Sequence, residues 1–184
     1  MCSHKLLPGG SWQIADFRIS GEFLGLRSVL LHTSDHGIEA ITHIDSFGVS
    51  AGDLIDAFST MPRLATAVLC AASCDEAMAV EHLVGVARRS VVERTAHFLP
   101  ELWACLKLVG PGTWQGYACP LSQYLLSDAL GLNAVHLHRV LRQLREKGLM
   151  TFRKGEIALD DLERLVALAA FDMTYFNQGG PLLR

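Results

Sequence analysis

The stretch Leu121-Ser-Gln-Tyr-Leu-Leu-Ser-Asp-Ala-Leu-Gly-Leu-Asn-Ala-Val-His-Leu-His-Arg-Val-Leu-Arg-Gln-Leu-Arg-Glu-Lys-Gly-Leu-Met150 decides the fold. Leu121, Leu125, Leu126 and Leu130 return at helical spacing, which predicts a short helix capped by Ser122 or entered through Pro120. Gly131 ends it. In Gly131-Leu132-Asn133 the glycine can take a positive φ, the leucine can plug the angle between two helices, and Asn133 can cap the next. A second helix over Ala134 to Lys147 buries Leu137, Val140 or Leu141, and Leu144, and turns Val135, His138, Arg139, Arg142 and Glu146 outward. This is the grammar of a helix-turn-helix. A duplex major groove admits one α-helix, and an arginine on it can donate two hydrogen bonds to guanine O6 and N7. Arg139 is the expected base reader.

Downstream, Met150 to Leu159 alternates around Lys154-Gly155 like a β-hairpin. Such a wing places Arg153 and Lys154 at its tip, within reach of backbone phosphates. Residues 134–154 carry Arg139, Arg142, Arg145, Lys147, Arg153 and Lys154 against Glu146 alone, inside a chain of formal net charge −3. The front is the reverse: Lys5, Arg18 and Arg27 face Asp16, Glu22, Asp35, Glu39, Asp45, Asp53 and Asp56 over residues 1–60. A basic segment taken alone reads first as a solvated helix face. Joined to helix-turn-helix spacing and a wing, it points to DNA.

Upstream, Val92, Ala96, Leu99, Leu102 and Leu106 predict a helix over Val91 to Leu108, which Pro100 should kink or divide and Gly110-Pro111-Gly112 should close. Before it, Ala65, Leu69, Ala72, Glu76, Ala79, Leu83 and Val86 step by fours and threes along Pro62 to Val86. A seam of mostly small apolar residues suits close pairing with a second helix, or packing inside one domain. Gly85 and Arg88-Arg89-Ser90 mark a hinge. Leu54, Ile55 and Phe58 predict a short helix that Met61-Pro62 ends. The first fifty residues read as β-rich, with strands at Trp12 to Ile19, Val29-Leu30-Leu31 and Glu39 to Ile44 and a turn at Ser34-Asp35-His36-Gly37. Three or four short strands bury too little to stand alone, so this portion must lean on a neighbour.

Composition closes off other classes. With 184 residues, 50% hydrophobic and 19% charged, disorder is excluded. No apolar run nears the ~18 residues of a membrane span, and Met1 to Gly10 lacks the pattern of a signal peptide, so a cytoplasmic location is expected. Five cysteines make an odd set without knuckle spacing, consistent with reduced thiols. Cys70 and Cys74 share a helix face as a thiol or metal pair or, more simply, as small buried apolar groups. His32, His36 and His43 have no fixed ligand spacing, and His136 and His138 point in different directions. No phosphate loop, nucleophile elbow or acid/base pair is present, so neither an enzyme nor a metal or cofactor is expected.

At residues 121–150 the sequence resembles the Crp/Fnr superfamily of bacterial transcription regulators, and Ala87-Arg-Arg-Ser-Val-Val-Glu-Arg-Thr-Ala-His-Phe-Leu99 is similar to the family's junction between dimer helix and winged helix. The resemblance implies an α+β fold. Its parts would be a partial sensor β-roll over residues 1–60, a dimerisation helix and hinge over 61–87, and a winged helix-turn-helix domain over 88–184. Several strands usual before Trp12 are missing, so the roll reads as truncated. Gly21-Glu22-Phe23-Leu24-Gly25 resembles the start of a cyclic-nucleotide cassette, yet no Arg-Ser/Thr-Ala follows, which argues against cyclic AMP. Cys2 alone near the start argues against an iron-sulfur cluster. The effector stays open.

The resemblance also assigns sites. Ser122 and Gln123 match phosphate-binding positions. His136 lies beside a phosphate or is plain surface. Val135 replaces a glutamate common in relatives, so its methyls would meet a thymine methyl rather than cytosine N4. With Asn133, His138, Arg139, Arg142, Arg153 and Lys154 these form the expected DNA-binding set, and Ala65, Leu69, Ala72, Glu76, Ala79 and Leu83 the dimer seam. The expected protein is a homodimeric regulator on a near-palindromic site in double-stranded DNA, with RNA polymerase as a partner implied by the family. Two rivals are an interaction protein that pairs with full-length relatives without binding DNA, and a redox or metal sensor using Cys70 and Cys74.

Overall fold

The computed structural model describes residues 1–10, 12–31, 33–34, 36–110 and 115–176, without the side chains of Arg27, Ser28 and Leu30. The chain is built around two long helices in series, α3 (Pro62–Arg88) and α4 (Val91–Val109), with a small sheet at each end of the sequence. Ser90 separates them and caps α4: its Oγ accepts from the Glu93 N–H at 3.3 Å, and the Glu93 carboxylate accepts from the Ser90 N–H at 2.7 Å. That reciprocal pair starts a new helix without a loop. Pro100 does not divide α4, which runs on through it with the proline ring buried in the core.

After α4 come β4 (Gly116–Ala118), α5 (Gln123–Ala129), α6 (Ala134–Glu146), β5 (Thr151–Arg153), β6 (Glu156–Ala158) and α7 (Leu162–Ala169), followed by one 3-10 turn, Met173–Phe176. The strands form an antiparallel sheet in the order β4-β6-β5, with Tyr117 and Phe152 both opposite Ile157. Leu99, Leu126, Leu137, Leu144, Met150, Ile157 and Leu165 are all nearly inaccessible, so four helices and the sheet share one core. Each such side chain contributes roughly 1.5–3 kcal/mol by leaving water. The Tyr117 hydroxyl donates to the Leu99 carbonyl at 3.0 Å, satisfying its own burial.

The N-terminal portion is a second three-stranded antiparallel sheet, β1 (Cys2–Leu6), β2 (Trp12–Phe17) and β3 (Gly37–Glu39), ordered β2-β1-β3. Of the expected strands, the first stands as β2. Val29-Leu30-Leu31 instead ends a short helix, α1 (Leu26–Leu31). Glu39 to Ile44 is not a strand: β3 stops at Glu39 and residues 40–50 have no regular structure. β1 was not expected at all. Of the turn at 34–37, Asp35 lies outside the described residues, while Ser34 Oγ donates to the His36 carbonyl at 2.8 Å. Helix α2 (Ala51–Thr60) stands where expected, capped by Ser50. The sheet does lean on its neighbours. The Ile14 N–H donates to Asp128 Oδ2 on α5 at 2.8 Å, Gln13 Nε2 donates to the Asp128 carbonyl at 2.6 Å, and Arg18 pairs with Asp75 on α3 at 2.8 Å. No single helix among the described residues is long and apolar enough to cross a membrane.

Candidate nucleic-acid interface

The turn between α5 and α6 is made by local chemistry. Ser122 Oγ accepts from the Leu125 N–H at 3.2 Å at the start of α5, and Asn133 Oδ1 accepts from the His136 N–H at 2.8 Å at the start of α6. Gly131 sits at φ +62°, a left-handed value that costs a side-chain residue about 1 kcal/mol or more. Arg94 on α4 reaches across and donates to the Leu130 carbonyl at 2.8 Å, tying off the C-terminal end of α5. The turn of the helix pair is thereby tied to α4.

Both Val140 and Leu141 are buried, with Leu137 and Leu144, so the inward face of α6 is four residues wide. The outward face carries Val135, His138, Arg139, Arg142 and Glu146, all exposed; His136, Gln143, Arg145 and Lys147 flank it. The helix ends at Glu146 and Lys147 is its C-cap. Within this stripe the charges are unequal. Arg142 Nε donates to Glu146 Oε1 at 2.8 Å, an i,i+4 pair that engages the stripe's one acid. Arg139 has no ion-pair or hydrogen-bond partner among the described residues, and its guanidinium is available to a ligand.

The wing is the β5-β6 hairpin. Arg153, Lys154, Gly155 and Glu156 are exposed, and the two central residues of the turn, Lys154 at φ +53° and Gly155 at φ +76°, give the mirror-image turn that suits strand twist. A lysine held in the left-handed region carries strain, which is commonest where a side chain has a task. Ser122, half-buried Gln123 and exposed Asn133 stand at the N-terminal ends of α5 and α6, with the Ser122 and Asn133 oxygens engaged as caps. Tyr124, 78% exposed on the first turn of α5, stands beside Ser122 and Gln123 and is not in the expected set.

The predicted seam lies along α3. Leu69 and Leu83 are 68% and 66% exposed, Glu76 and Ala79 are exposed, and Ala65 and Ala72 half-buried. Val80, Val84 and Val86 widen this apolar strip, and only Val68 and Gly85 of the 27-residue helix are buried. Where α3 meets α4, a polar network joins the two helices and the C-terminal turn. Buried Glu101 receives His82 Nε2 at 2.5 Å and the Tyr175 hydroxyl at 2.9 Å, while Arg89 grips the Glu81 carboxylate at 2.5 Å. Burial opposes charging of His82, but the hydrogen bond and charge of Glu101 outweigh it and raise its pKa. Burial lowers the pKa of His97 and so opposes its charging beside Glu81, 3.4 Å away; its Nε2 has no hydrogen-bond partner.

Cys70 and Cys74 are free and half-buried, and burial raises the Cys74 pKa, which is the opposite of a reactive thiol. His43 is almost fully exposed, and His32 lies outside the described residues.

The Crp-like helix-turn-helix domain family matches residues 93–168, which span α4 to α7. The nitrogen fixation regulation protein FixK of Bradyrhizobium diazoefficiens is 32% identical over 168 residues, covering 91% of this chain and 69% of that protein. The chain belongs to the Crp/Fnr family of transcription regulators. The transcriptional activatory protein AadR of Rhodopseudomonas palustris is 26% identical over 168 residues, again covering 69% of its own length. The structure of FixK2 from Bradyrhizobium japonicum superposes with a TM-score of 0.72 at 24% identity, over 93% of this chain and 83% of that one. A Crp-family regulator of Thermus thermophilus gives 0.58 at 16%, over 95% and 85%. These superpositions establish the Crp/Fnr fold, and the FixK relationship makes this a FixK-like DNA-binding regulator rather than an enzyme.

Proposed function

We propose that this Crp/Fnr regulator acts in the cytoplasm as a homodimer, paired through the α3 strip, and places two α6 helices in successive major grooves of a near-palindromic site. The observation that carries this is the outward face of α6: Arg139 without a partner, apolar Val135 one turn before it, and a strained basic wing tip alongside. Arg139 reads guanine. Val135 lies against a thymine methyl, and Ser122, Gln123, Asn133, His136, His138, Arg142, Arg153 and Lys154 set the register on phosphate or flanking bases. The absent Arg-Ser/Thr-Ala supports independence from cyclic AMP. The hinge network sets the angle between α3 and the winged helix, so whatever shifts it changes DNA affinity by population shift. RNA polymerase is the further partner if the protein activates.

Selection of duplexes from a random library by the purified protein, with light scattering on the same sample, tests the proposal. An enriched two-fold site bound by a dimer is the expected result. A dimer with no enriched site would favour pairing with full-length relatives, and a monomer would remove the role given to α3.

A further inference from the structure

Among the described residues, the proposed DNA-binding surface and dimer strip leave without a task a cluster of chemistry-bearing side chains on the N-terminal sheet. β1 pairs antiparallel with β3, with Cys2 opposite Glu39 and His4 opposite Gly37. Residues two apart on a strand share a face, as do direct partners across a ladder, so Cys2, His4 and Glu39 converge. One donor atom from each lies within 4.8 Å of the other two.

Four observations make this more than proximity. Cys2 is a free thiol, 1% exposed, although the sheet has almost no core of its own. His4 Nδ1 is buried with no hydrogen-bond partner, an arrangement that costs about 1–3 kcal/mol unless something occupies it. The His4 ring is held in place: it meets Trp12 edge-on at 4.5 Å, and a Cβ at Gly37 would come within 2.5 Å of Nε2, so the glycine makes room for it. Glu39 is exposed, which gives an ion a way in from solvent.

Thiolate, imidazole and carboxylate together suit a borderline divalent ion. In a tetrahedral zinc site donor atoms stand about 3.3–3.8 Å apart, and the three donor atoms here already lie within 4.8 Å of one another. We propose that Cys2, His4 and Glu39 form a three-ligand site for a divalent transition metal of the zinc class, with the fourth position open to solvent. Binding forms the metal–sulfur, metal–nitrogen and metal–oxygen bonds and releases the Cys2 thiol proton to water, with no change of oxidation state. The site would lie one strand away from the contact that β2 makes with Asp128 of the helix-turn-helix.

The test is titration of the chelator-treated, reduced full-length protein with Co2+, read by absorption. One equivalent should produce tetrahedral d–d bands and a thiolate-to-cobalt charge-transfer band, both bleached by Zn2+. Cys2→Ser should abolish the charge-transfer band, and Cys70→Ser with Cys74→Ser should leave it intact. Cys2 is buried, so its replacement also perturbs packing; Glu39→Gln, at the exposed ligand, should keep the fold, read by circular dichroism, and weaken affinity about tenfold or more. A protein that gives no charge-transfer band, a band that survives Cys2→Ser, a band lost with Cys70 and Cys74, or unchanged affinity in Glu39→Gln would each overturn the site.

Discussion

The two three-stranded sheets of this chain are alike in size and opposite in cover. The β4-β6-β5 sheet buries Tyr117 and Ile157 under α4, α6 and α7, inside a core that includes residues from every helix of the winged domain. In the β2-β1-β3 sheet only Cys2 and Ile14 are buried apolar residues, while Leu6 is 70% exposed and Phe47, downstream of β3, is 96% exposed. One sheet belongs to a closed domain. The other is held by a few directed contacts, Ile14 and Gln13 to Asp128 and Arg18 to Asp75, and by the edge-on packing of Phe17 on Phe98. Three strands become independently stable only with a covered apolar face, so the N-terminal sheet takes its order from the helices.

The largest effect should come from breaking the closed side. Leu137→Ala, at a fully buried position on α6, should cost about 2–5 kcal/mol in chemical denaturation, whereas Leu6→Ala should stay within about 0.5 kcal/mol. Equal losses would mean that the two sheets are covered alike.

Next is the junction. His82→Gln keeps an N–H near buried Glu101 but removes the charge, and should destabilise by about 1–2 kcal/mol where the histidine is charged. The sign follows from linkage. The pKa of His82 is raised in the folded state, so its contribution is complete below the ordinary value of 6.5 and is lost as pH rises through the folded value. His97 acts in the opposite sense: its folded pKa is lowered, so its contribution is present above the ordinary value and is lost as pH falls through the folded one. Thermal melts of wild type and His82→Gln should therefore differ most below the ordinary value of 6.5 and converge as pH rises through the raised folded value. A gap constant with pH would show that His82 acts by packing alone.

A third prediction sharpens what the closed domain is for. Arg139→Ala should cost about 1–3 kcal/mol in DNA binding and relax specificity at one base pair of the half-site, read from competitive binding to single-base variants. Equal loss on every sequence would reassign Arg139 to phosphate.

Legibility in the sequence divides along the same line. The helix-turn-helix could be read residue by residue because its signals are local: Ser122 and Asn133 cap within three residues, Gly131 supplies the turn, and Leu137, Val140, Leu141 and Leu144 keep one period. In the N-terminal sheet the deciding partners are distant. Ile14 meets Asp128 across 114 positions, and the polar stretch Cys2-Ser3-His4-Lys5 carries no strand pattern without β2 and β3 beside it. Val29-Leu30-Leu31 shows why short apolar runs mislead, since three residues do not distinguish a strand from the last turn of a helix. The convergence of Cys2, His4 and Glu39 depends on register alone, which spacing along the chain does not encode.

The smallest effect separates the wing's stability from its task. Lys154→Ala keeps the left-handed backbone and removes only charge, so it should weaken binding uniformly across sequences and reduce the salt dependence by about one unit of slope. Lys154→Gly removes the same charge and also the strain, so it should stabilise the fold by about 0.5–1 kcal/mol while weakening binding as much as the alanine variant does. Stability and affinity moving in opposite directions would identify Lys154 as a residue kept at a structural cost for the sake of the phosphate backbone. If both fell together, the lysine would be part of the hairpin's own packing, and the wing would match the N-terminal sheet in being shaped by contacts rather than by a ligand.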